Sequence, residues 1–188
     1  MQALRTTTSL RPAAISGVGA FRPERVVPNS ELVERIDSSD EWIRQRSGIE
    51  ERRWASAEDT TLSMATAAAR QALEHAGVTA DQLGAIVVAT VSNPMRTPGV
   101  APMLAAELGS TAPAFDLSAA CAGYCHGIAL ANDMVGAGTA DHVLVVGVEL
   151  LSQFTDPDDR GTAFLFGDAA GAAVVSLSEV SGIGPTVW

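Results

Sequence analysis

The chain of 188 residues carries 12 basic and 22 acidic side chains, which gives a formal net charge of −10 at pH 7 with histidine neutral. This charge argues against non-specific binding of nucleic acid, which needs a basic face, and no apolar run approaches the length of a membrane span. Hydrophobic residues make up 47% of the sequence and aromatic residues 5%, so we expect one domain with an aliphatic core.

The chain begins with a polar segment, residues 1–12, that lacks the apolar centre of a secretory signal. We expect this segment to be a frayed N-terminal tail. The small apolar residues of Ala13–Ala20 then predict a first strand. Gly17 and Gly19 begin like the dinucleotide-binding fingerprint G-x-G-x-x-G, but Arg22 stands in place of the third glycine, so the motif is absent.

Two short helices are predicted next. The first covers Asn29–Ile36, with its asparagine as the N-cap, and the second is capped by Ser38 or Ser39 and stopped by Gly48. The segments on either side are predicted to be loops: residues 23–28 and 48–57.

The clearest helical pattern covers Asp59–Ala76, where apolar residues recur every three or four positions and Gly77 supplies a stop. These apolar residues are Leu62, Ala65, Ala69, Leu73 and Ala76. Ala85–Val91 is a continuous apolar run, as expected for a strand covered on both faces. A loop over residues 92–99 and a helix over Val100–Leu108 follow.

The remaining elements continue the alternation of strands and helices. A short buried strand that begins at Ala114 is predicted to turn directly into a helix, with Cys121 at the first helical positions. Val143–Val148 is predicted to be a strand covered on both faces, and a glycine-punctuated turn over residues 167–171 precedes a last strand. This order of elements indicates an α/β layered fold.

Cys121 is the strongest candidate nucleophile in the sequence. The unpaired N–H groups at a helix start carry partial positive charge, which stabilises an anion such as a thiolate by up to about 2 kcal/mol. Its neighbours are small enough to admit a substrate to the sulfur: Ser118, Ala119, Ala120, Ala122 and Gly123. On these residues alone, a small buried structural cysteine remains the alternative.

The other cysteine and the histidines give Cys121 no clear partner. Cys125 lies one helical turn away, where a disulfide would close almost no loop, so a reducing, cytoplasmic location is favoured. A cysteine nucleophile usually needs a base, and the candidates are His75, His126 and His142. His126 points about 140° around the helix from Cys121. His75 is predicted in the last turn of the long helix, and His142 is predicted to be exposed before a strand.

Trp42 and Arg46 are four residues apart and share one face of a predicted helix. An indole beside a guanidinium can hold a nucleotide base by stacking. The alternative is a solvent-facing helix with a half-buried tryptophan, which the residues alone favour.

Six short motifs occur in order along the chain: GVGAFRP at 17–23, DSSDEWI at 37–43, RSGI at 46–49, AACAG at 119–123, DPDDRGT at 156–162 and FGD at 166–168. Together they resemble the motifs of β-ketoacyl-acyl-carrier-protein synthase III, the initiating condensing enzyme of bacterial fatty acid synthesis. The resemblance extends from about Ile15 to Trp188. Many members of the family carry glycine where Ala169 stands.

The resemblance implies that residues 13–188 form the N-terminal half of a thiolase-like fold, with a mixed sheet flanked by helices. It further implies that an acyl-CoA acylates Cys121 and releases CoA, and that the acyl group is then condensed with malonyl-acyl-carrier protein as the malonyl group decarboxylates. The backbone N–H of Cys121 would be one oxyanion donor. Acyl-CoA is a substrate, and the resemblance implies neither a cofactor nor a metal.

The same resemblance assigns residues to the CoA site. Trp42 and Arg46 match positions that hold the adenine end of CoA, and Arg160 matches a position that also contacts the nucleotide. Ser38 stands where the family has a small hydroxyl residue near CoA. Thr97 lies in a loop that, in the family, reaches across a homodimer interface to close the partner's acyl pocket. Some members have a bulky aromatic residue at that position, so Thr97 predicts room for branched or longer primers.

Members of the family are almost twice as long as this chain. Their catalytic histidine and asparagine, a second oxyanion donor and the carrier-protein patch belong to the second half, which these 188 residues do not include. We therefore expect slow self-acylation at most, and no condensation. Two alternatives stay open: a relative that primes polyketide synthesis, and a non-catalytic half-domain that needs a complementary chain.

Overall fold

The structure is a computed structural model that describes residues 10–187. Its strands form a five-stranded sheet and a two-stranded sheet. The strands are β1 (Ala13–Phe21), β2 (Arg25–Pro28), β3 (Glu51–Trp54), β4 (Ala85–Ala89), β5 (Ala114–Leu117), β6 (His142–Leu150) and β7 (Asp168–Leu177). The α-helices are α1 (Asn29–Leu32), α2 (Asp40–Ser47), α3 (Thr61–Ala76), α4 (Val100–Leu108) and α5 (Gly123–Ala137).

The larger sheet has the strand order β1-β7-β6-β4-β5 and is mixed. β4 runs parallel to β5 and β6, while β7 runs antiparallel to β6 and β1. Ala89 at the end of β4 lies opposite both Leu117 of β5 and Gly147 of β6. The carboxyl ends of the three parallel strands therefore meet at one edge of the sheet, where ligands of open α/β sheets usually bind.

Helices cover both faces of this sheet, as predicted, so the α/β expectation is confirmed. Alternate residues of the central strands point to opposite faces. On one face, Ile86 and Leu144 pack with α3 and α4, and on the other, Val87 and Val145 pack with α5. The apolar runs of β4 and β6 arise because both faces of these strands are covered.

Small residues allow α3 to lie unusually close to β1. Met64, Ala65, Ala68, Ala69 and Ala72 on α3 are all fully buried. A Cβ atom added at Gly19 would lie 2.2 Å from the carbonyl oxygen of Ala68 and 2.6 Å from the amide nitrogen of Ala72. These are backbone atoms, so the helix itself would have to shift.

Replacing Gly19 by alanine is therefore expected to destabilise the fold by about 1–3 kcal/mol, because the added methyl group overpacks the contact between strand and helix. Urea unfolding followed by circular dichroism measures the loss. Gly171 on the neighbouring strand β7 is the matched control, since a Cβ there meets no atom within 4 Å. Equal stability of the two alanine variants would contradict this account of the contact.

The sequence predicted the second helix well and its surroundings poorly. Ser39 caps α2 by accepting the N–H of Trp42 at 3.1 Å, and Gly48 ends the helix with φ +74°. The segments 23–28 and 48–57, predicted to be loops, instead contribute β2 and β3, which pair antiparallel. β2 and β3 have four residues each and no clear alternation of apolar and polar residues, so their pairing is set by the tertiary structure.

The structure also differs from the prediction at α1, at β5 and at residues 167–171. α1 ends at Leu32, and the buried side chain of Asn29 makes tertiary hydrogen bonds instead of capping the helix. β5 is an edge strand, with Phe115 38% exposed, and is not buried. Residues 167–171 do not form a turn, because β7 already begins at Asp168.

The predicted N-terminal tail lies mostly outside the described residues, which begin at Leu10. Arg11, assigned to that tail, is held in place. Its guanidinium donates to the carbonyl oxygens of Val135 and Ala140 and pairs with Asp141 at 2.7 Å. Across residues 10–187, the longest helices are too short or too polar to span a bilayer.

Candidate active site

Cys121 lies in a 3-10 turn, Ala120–Ala122, between the end of β5 and the start of α5. The prediction placed it at the first helical positions, and the structure places it in the turn directly before the α-helix. Ala120 has φ +45°, a left-handed conformation that is strained for a residue with a side chain. The Cys121 side chain is a free, exposed thiol.

The close packing of α5 on the sheet positions this turn over the strand ends. A Cβ atom at Gly127 would lie 2.8 Å from Cγ1 of Val145, and one at Gly123 would lie 3.1 Å from Cβ of Ala89. Glycine at these positions lets the first two turns of α5 approach β4 and β6 directly. Cys121 consequently sits at the sheet edge where the parallel strands end.

An open cleft of about 560 Å³ adjoins Cys121. Small residues form most of its wall, and they include Ala20 of β1, Ala89 of β4, Gly147 of β6 and residues 169–171 of β7. Its polar lining groups are Arg22, Tyr124 and Glu149, and none of the three histidines within the described part of the chain lines it. The cleft can therefore admit a slim apolar group to the thiol.

Tyr124 and Glu149 were not identified from the sequence as cleft residues. Burial, and secondarily the charge of Cys125, raises the pKa of Tyr124, so its phenol stays protonated at neutral pH. Its ring packs against Gly147, where an added Cβ would lie 3.1 Å from Cδ2. A glutamate inside the otherwise apolar run of β6 was the available signal for Glu149.

Glu149 holds the start of the loop that follows β4. Its carboxylate accepts the N–H of Val91 at 3.0 Å and the hydroxyl of Ser92. The same hydroxyl oxygen of Ser92 accepts the N–H of Leu150 at 2.8 Å, and Ser92 is fully buried. These bonds fasten the loop to the end of β6.

Asp116 holds the other end of this loop. Its carboxylate accepts the N–H groups of Val100 and Ala101, at 2.8 and 2.7 Å, at the start of α4. A Cβ at Gly99 would lie 2.6 Å from Oδ2 of Asp116, so glycine is needed for this approach. Thr97 is exposed in the loop between these two anchors and does not line the Cys121 cleft.

The histidines have other contacts. Nδ1 of His75 lies 3.2 Å from the amide nitrogen of Val18 on β1. His142, predicted to be exposed before a strand, is instead the half-buried first residue of β6 and lies 2.8 Å from the hydroxyl of Ser176. His126 is on α5 but does not line the cleft.

A second cluster surrounds Trp42. The guanidinium carbons of Arg46 and Arg160 lie 5.5 and 5.4 Å from the centre of its ring, within the range of cation–π interaction. Phe164 meets the same indole edge-on, with ring centres 5.6 Å apart. Neither guanidinium forms an ion pair with any residue from 10 to 187, so both charges are free to meet an anion.

The structure thus assembles three of the predicted CoA residues and keeps Cys121 in a separate cleft. Ser38 is half-buried, and its hydroxyl has no hydrogen-bond partner. Asp37, just before it, has φ +47°, so Ser38 follows a strained residue as Cys121 does. Among the described residues there is no group of three or more His, Cys, Asp or Glu side chains that could hold a metal ion.

Comparison with known proteins places this geometry among condensing enzymes. The sequence profile of a family described as 3-oxoacyl-[acyl-carrier-protein (ACP)] synthase III matches residues 115–188. A β-ketoacyl-[acyl-carrier-protein] synthase III of Streptomyces avermitilis is 58% identical over 177 residues, which cover 94% of this chain and 50% of that protein. A β-ketoacyl-[acyl-carrier-protein] synthase III of Streptomyces coelicolor is 56% identical over 177 residues, which cover 94% of this chain and 52% of that protein.

Solved structures agree with these sequence relatives. The priming β-ketosynthase of the R1128 polyketide biosynthetic pathway superposes with a TM-score of 0.92 at 48% identity, over 98% of this chain and 55% of that one. The 3-oxoacyl-[acyl-carrier-protein] synthase III of Aquifex aeolicus gives a TM-score of 0.86 at 43% identity, over 89% and 54%. The chain spans about half the length of the relatives it matches.

Proposed function

The chain belongs to the β-ketoacyl-acyl-carrier-protein synthase III family, and we propose that it carries the acyl-accepting site of such an acyltransferase. The observation that carries the proposal is the exposed thiol of Cys121, at the start of α5, opening into a cleft with small apolar walls. The cleft leaves space for an acyl chain beside the sulfur.

In the proposed reaction, the Cys121 thiolate attacks the carbonyl carbon of an acyl-CoA thioester. The carbonyl oxygen gains negative charge, which the N–H of Cys121 at the helix start helps to stabilise. The C–S bond to CoA then breaks, CoA leaves as a thiolate that takes up a proton, and Cys121 keeps the acyl group. No cofactor or metal is needed for these steps.

Recognition of the CoA nucleotide is assigned to Trp42, Arg46 and Arg160, with Ser38 near them. The indole offers a flat face for a base, and the two unpaired guanidinium groups offer charge to phosphates. The chain as a whole is acidic, but Arg46 and Arg160 concentrate positive charge beside Trp42, where an anionic substrate could bind.

The proposed second step transfers the acyl group to malonyl-acyl-carrier protein. The malonyl group loses CO2, its α-carbon forms a bond to the acyl carbonyl carbon, and the Cys121 thiolate leaves. Within residues 10–187, no histidine lines the cleft to assist this decarboxylation. We therefore assign acylation to the described groups and expect no condensation from them alone.

Acylation is tested by incubating the 188-residue chain with acetyl-CoA and measuring intact mass, followed by peptide mapping. One acetyl group per chain, on Cys121, is expected. With malonyl-acyl-carrier protein added, no β-ketoacyl product is expected, and its appearance would contradict the division of labour above. A chain that takes up no acetyl group and unfolds without a cooperative transition would instead favour a non-catalytic half-domain that needs a complementary chain.

The second candidate function is priming of polyketide synthesis, which uses the same first step. It is favoured by one observation, the TM-score of 0.92 with a priming β-ketosynthase of a polyketide pathway. The two functions differ in the acceptor. The test uses a form of the enzyme that carries out condensation, acylated on Cys121, and compares its rates with malonyl groups on a fatty acid carrier protein and on a polyketide carrier protein.

A homodimer and a reducing cytoplasmic location complete the proposal. β5 pairs only with β4 among the described strands, so its outer edge is open to another strand, and the exposed Phe115 lies on it. Pairing with a second copy would cover this edge. Cys121 and Cys125 are both free and exposed, as a reducing compartment allows.

Thr97 is assigned to the acyl pocket of the partner in that dimer. Because threonine is smaller than an aromatic side chain, we expect branched primers to be accepted. Comparing the rates of Cys121 acylation by acetyl-CoA and isobutyryl-CoA tests this, and similar rates are expected. A strong preference for acetyl-CoA would rule out a permissive pocket.

A further inference from the structure

One buried guanidinium lies behind the Trp42 cluster and contacts two other segments of the chain, at residues 27–29 and at Phe164. Arg52 on β3 is only 7% exposed. It donates to the carbonyl oxygen of Val27 at 3.0 Å, to Oδ1 of Asn29 at 2.5 Å and to the carbonyl oxygen of Phe164 at 3.0 Å. Burial lowers the pKa of Arg52, but an arginine stays protonated at neutral pH.

Asn29 extends these bonds to the helix that carries Trp42. It is 1% exposed, and its amide donates to Oδ1 of Asp40 at 2.7 Å and to the carbonyl oxygen of Ile49 at 2.8 Å. Asp40 is the first residue of α2. The hydrogen bond from Asn29, and then the one from Arg44, holds the pKa of Asp40 below its ordinary value, so this carboxylate stays ionised.

Phe164 gives a second connection to the same indole. Its carbonyl accepts from Arg52, and its ring meets Trp42 edge-on at 5.6 Å. Phe164 also belongs to the segment that carries Arg160. Arg52 thus contacts the segment with Arg160 directly and is linked through Asn29 to the helix with Trp42 and Arg46.

We propose that Arg52, with Asn29, is a positioning residue that fixes α2 and the Arg160–Phe164 segment relative to each other, so that the nucleotide face of the CoA site is formed before substrate binds. The inference rests on the proposed function of the Trp42 cluster. Holding both parts in place removes an ordering cost from binding, which benefits only donors that carry the nucleotide. Lysine cannot replace this arginine, because a single ammonium lacks the planar fork of donors.

The test compares two acetyl donors that share one thioester. Acetyl-CoA carries the nucleotide, and acetyl-pantetheine does not. We expect Arg52→Lys to lower the rate of Cys121 acetylation from acetyl-CoA about tenfold, while the rate from acetyl-pantetheine changes less than about twofold. The loss should fall on KM for acetyl-CoA. Asn29→Ala removes the link from Arg52 to Asp40 but leaves the bonds of Arg52 to Val27 and Phe164, so it should give a smaller change of the same kind.

Arg53→Lys is the matched control. Arg53 is the next residue on the same strand, but its guanidinium donates to the carbonyl oxygens of Pro23 and Glu24 and has no bond to the Trp42 cluster. In Arg53→Lys, the ratio of the acetylation rates from acetyl-CoA and acetyl-pantetheine should equal that of the unaltered chain. A general loss of structure would instead lower the acetylation rates from both donors equally. If both Arg52→Lys and Asn29→Ala gave that result, the positioning role would be overturned.

Trp42→Ala separates failure of this inference from failure of the proposed function. If Trp42→Ala abolishes the preference for acetyl-CoA and Arg52→Lys keeps it, the positioning role is wrong and the nucleotide site stands. If Trp42→Ala leaves the preference intact, the nucleotide site itself is wrong, and the role of Arg52 is overturned with it.

Discussion

Replacing Cys121 by alanine is expected to abolish uptake of the acyl group from acyl-CoA, lowering the rate by at least about 10³-fold. The expectation follows because the thiol is the one strong nucleophile that lines the cleft in the described part of the chain. Intact-mass measurement over a time course with acetyl-CoA gives the rate directly.

Cys125→Ala is the matched control for this loss. Cys125 is also free and exposed, one helical turn further along, but it does not line the cleft. It should therefore retain acylation. Labelling that survives in Cys121→Ala and disappears in Cys125→Ala would place the acyl group on Cys125 and contradict the proposed site.

Replacing Asp168 by alanine should cause the largest loss of stability, about 3–5 kcal/mol, measured as the free energy of unfolding in urea. The Asp168 side chain is 2% exposed and accepts three hydrogen bonds. These come from the N–H of Ala55 at 2.7 Å and from the N–H and hydroxyl of Ser152 at 2.8 and 2.6 Å. Alanine would leave buried donors without an acceptor, each costing roughly 1–3 kcal/mol.

Two variants show whether the loss comes from these bonds. Asp168→Asn keeps one acceptor oxygen and nearly the same volume, so it should lose less stability than alanine. Glu74→Ala changes an exposed carboxylate on α3 and should shift the free energy of unfolding by less than about 0.5 kcal/mol. If Asp168→Ala were as mild as Glu74→Ala, the buried carboxylate would have no structural role.

Elements with strong local signals were predicted correctly from the sequence. Gly77 ends α3 with φ +66°, as predicted, whereas the start predicted at Asp59 lies at Thr61, after a reciprocal capping box of Thr60 and Ser63 that was not predicted. Such signals depend only on neighbouring residues, so they can be recognised without the fold. The pairing of β2 with β3 could not be predicted in this way, because Arg25 pairs with Trp54 across two intervening helices.

The candidate site shows the same division. Cys121 could be found because a small-residue turn before a helix is visible locally, and Trp42 with Arg46 because four residues separate them on one helix. Arg52 was not identified, because an arginine in a charged segment predicts exposure. Its burial follows from acceptors on Val27, Asn29 and Phe164, which are distant in the sequence and meet only in the folded chain.

Asp116 has a further consequence, because the same carboxylate serves two regions. It lies on β5, the strand that leads into the Cys121 turn, and it also binds the start of α4, where the Thr97 loop ends. The hydrogen bonds of Asp116 therefore connect the end of the Thr97 loop to the strand that leads into the Cys121 turn. If the proposed role of Thr97 holds, substitutions in this loop that widen the partner's acyl pocket should also change the reactivity of the thiol on their own chain, unless the Asp116 anchor is kept unchanged.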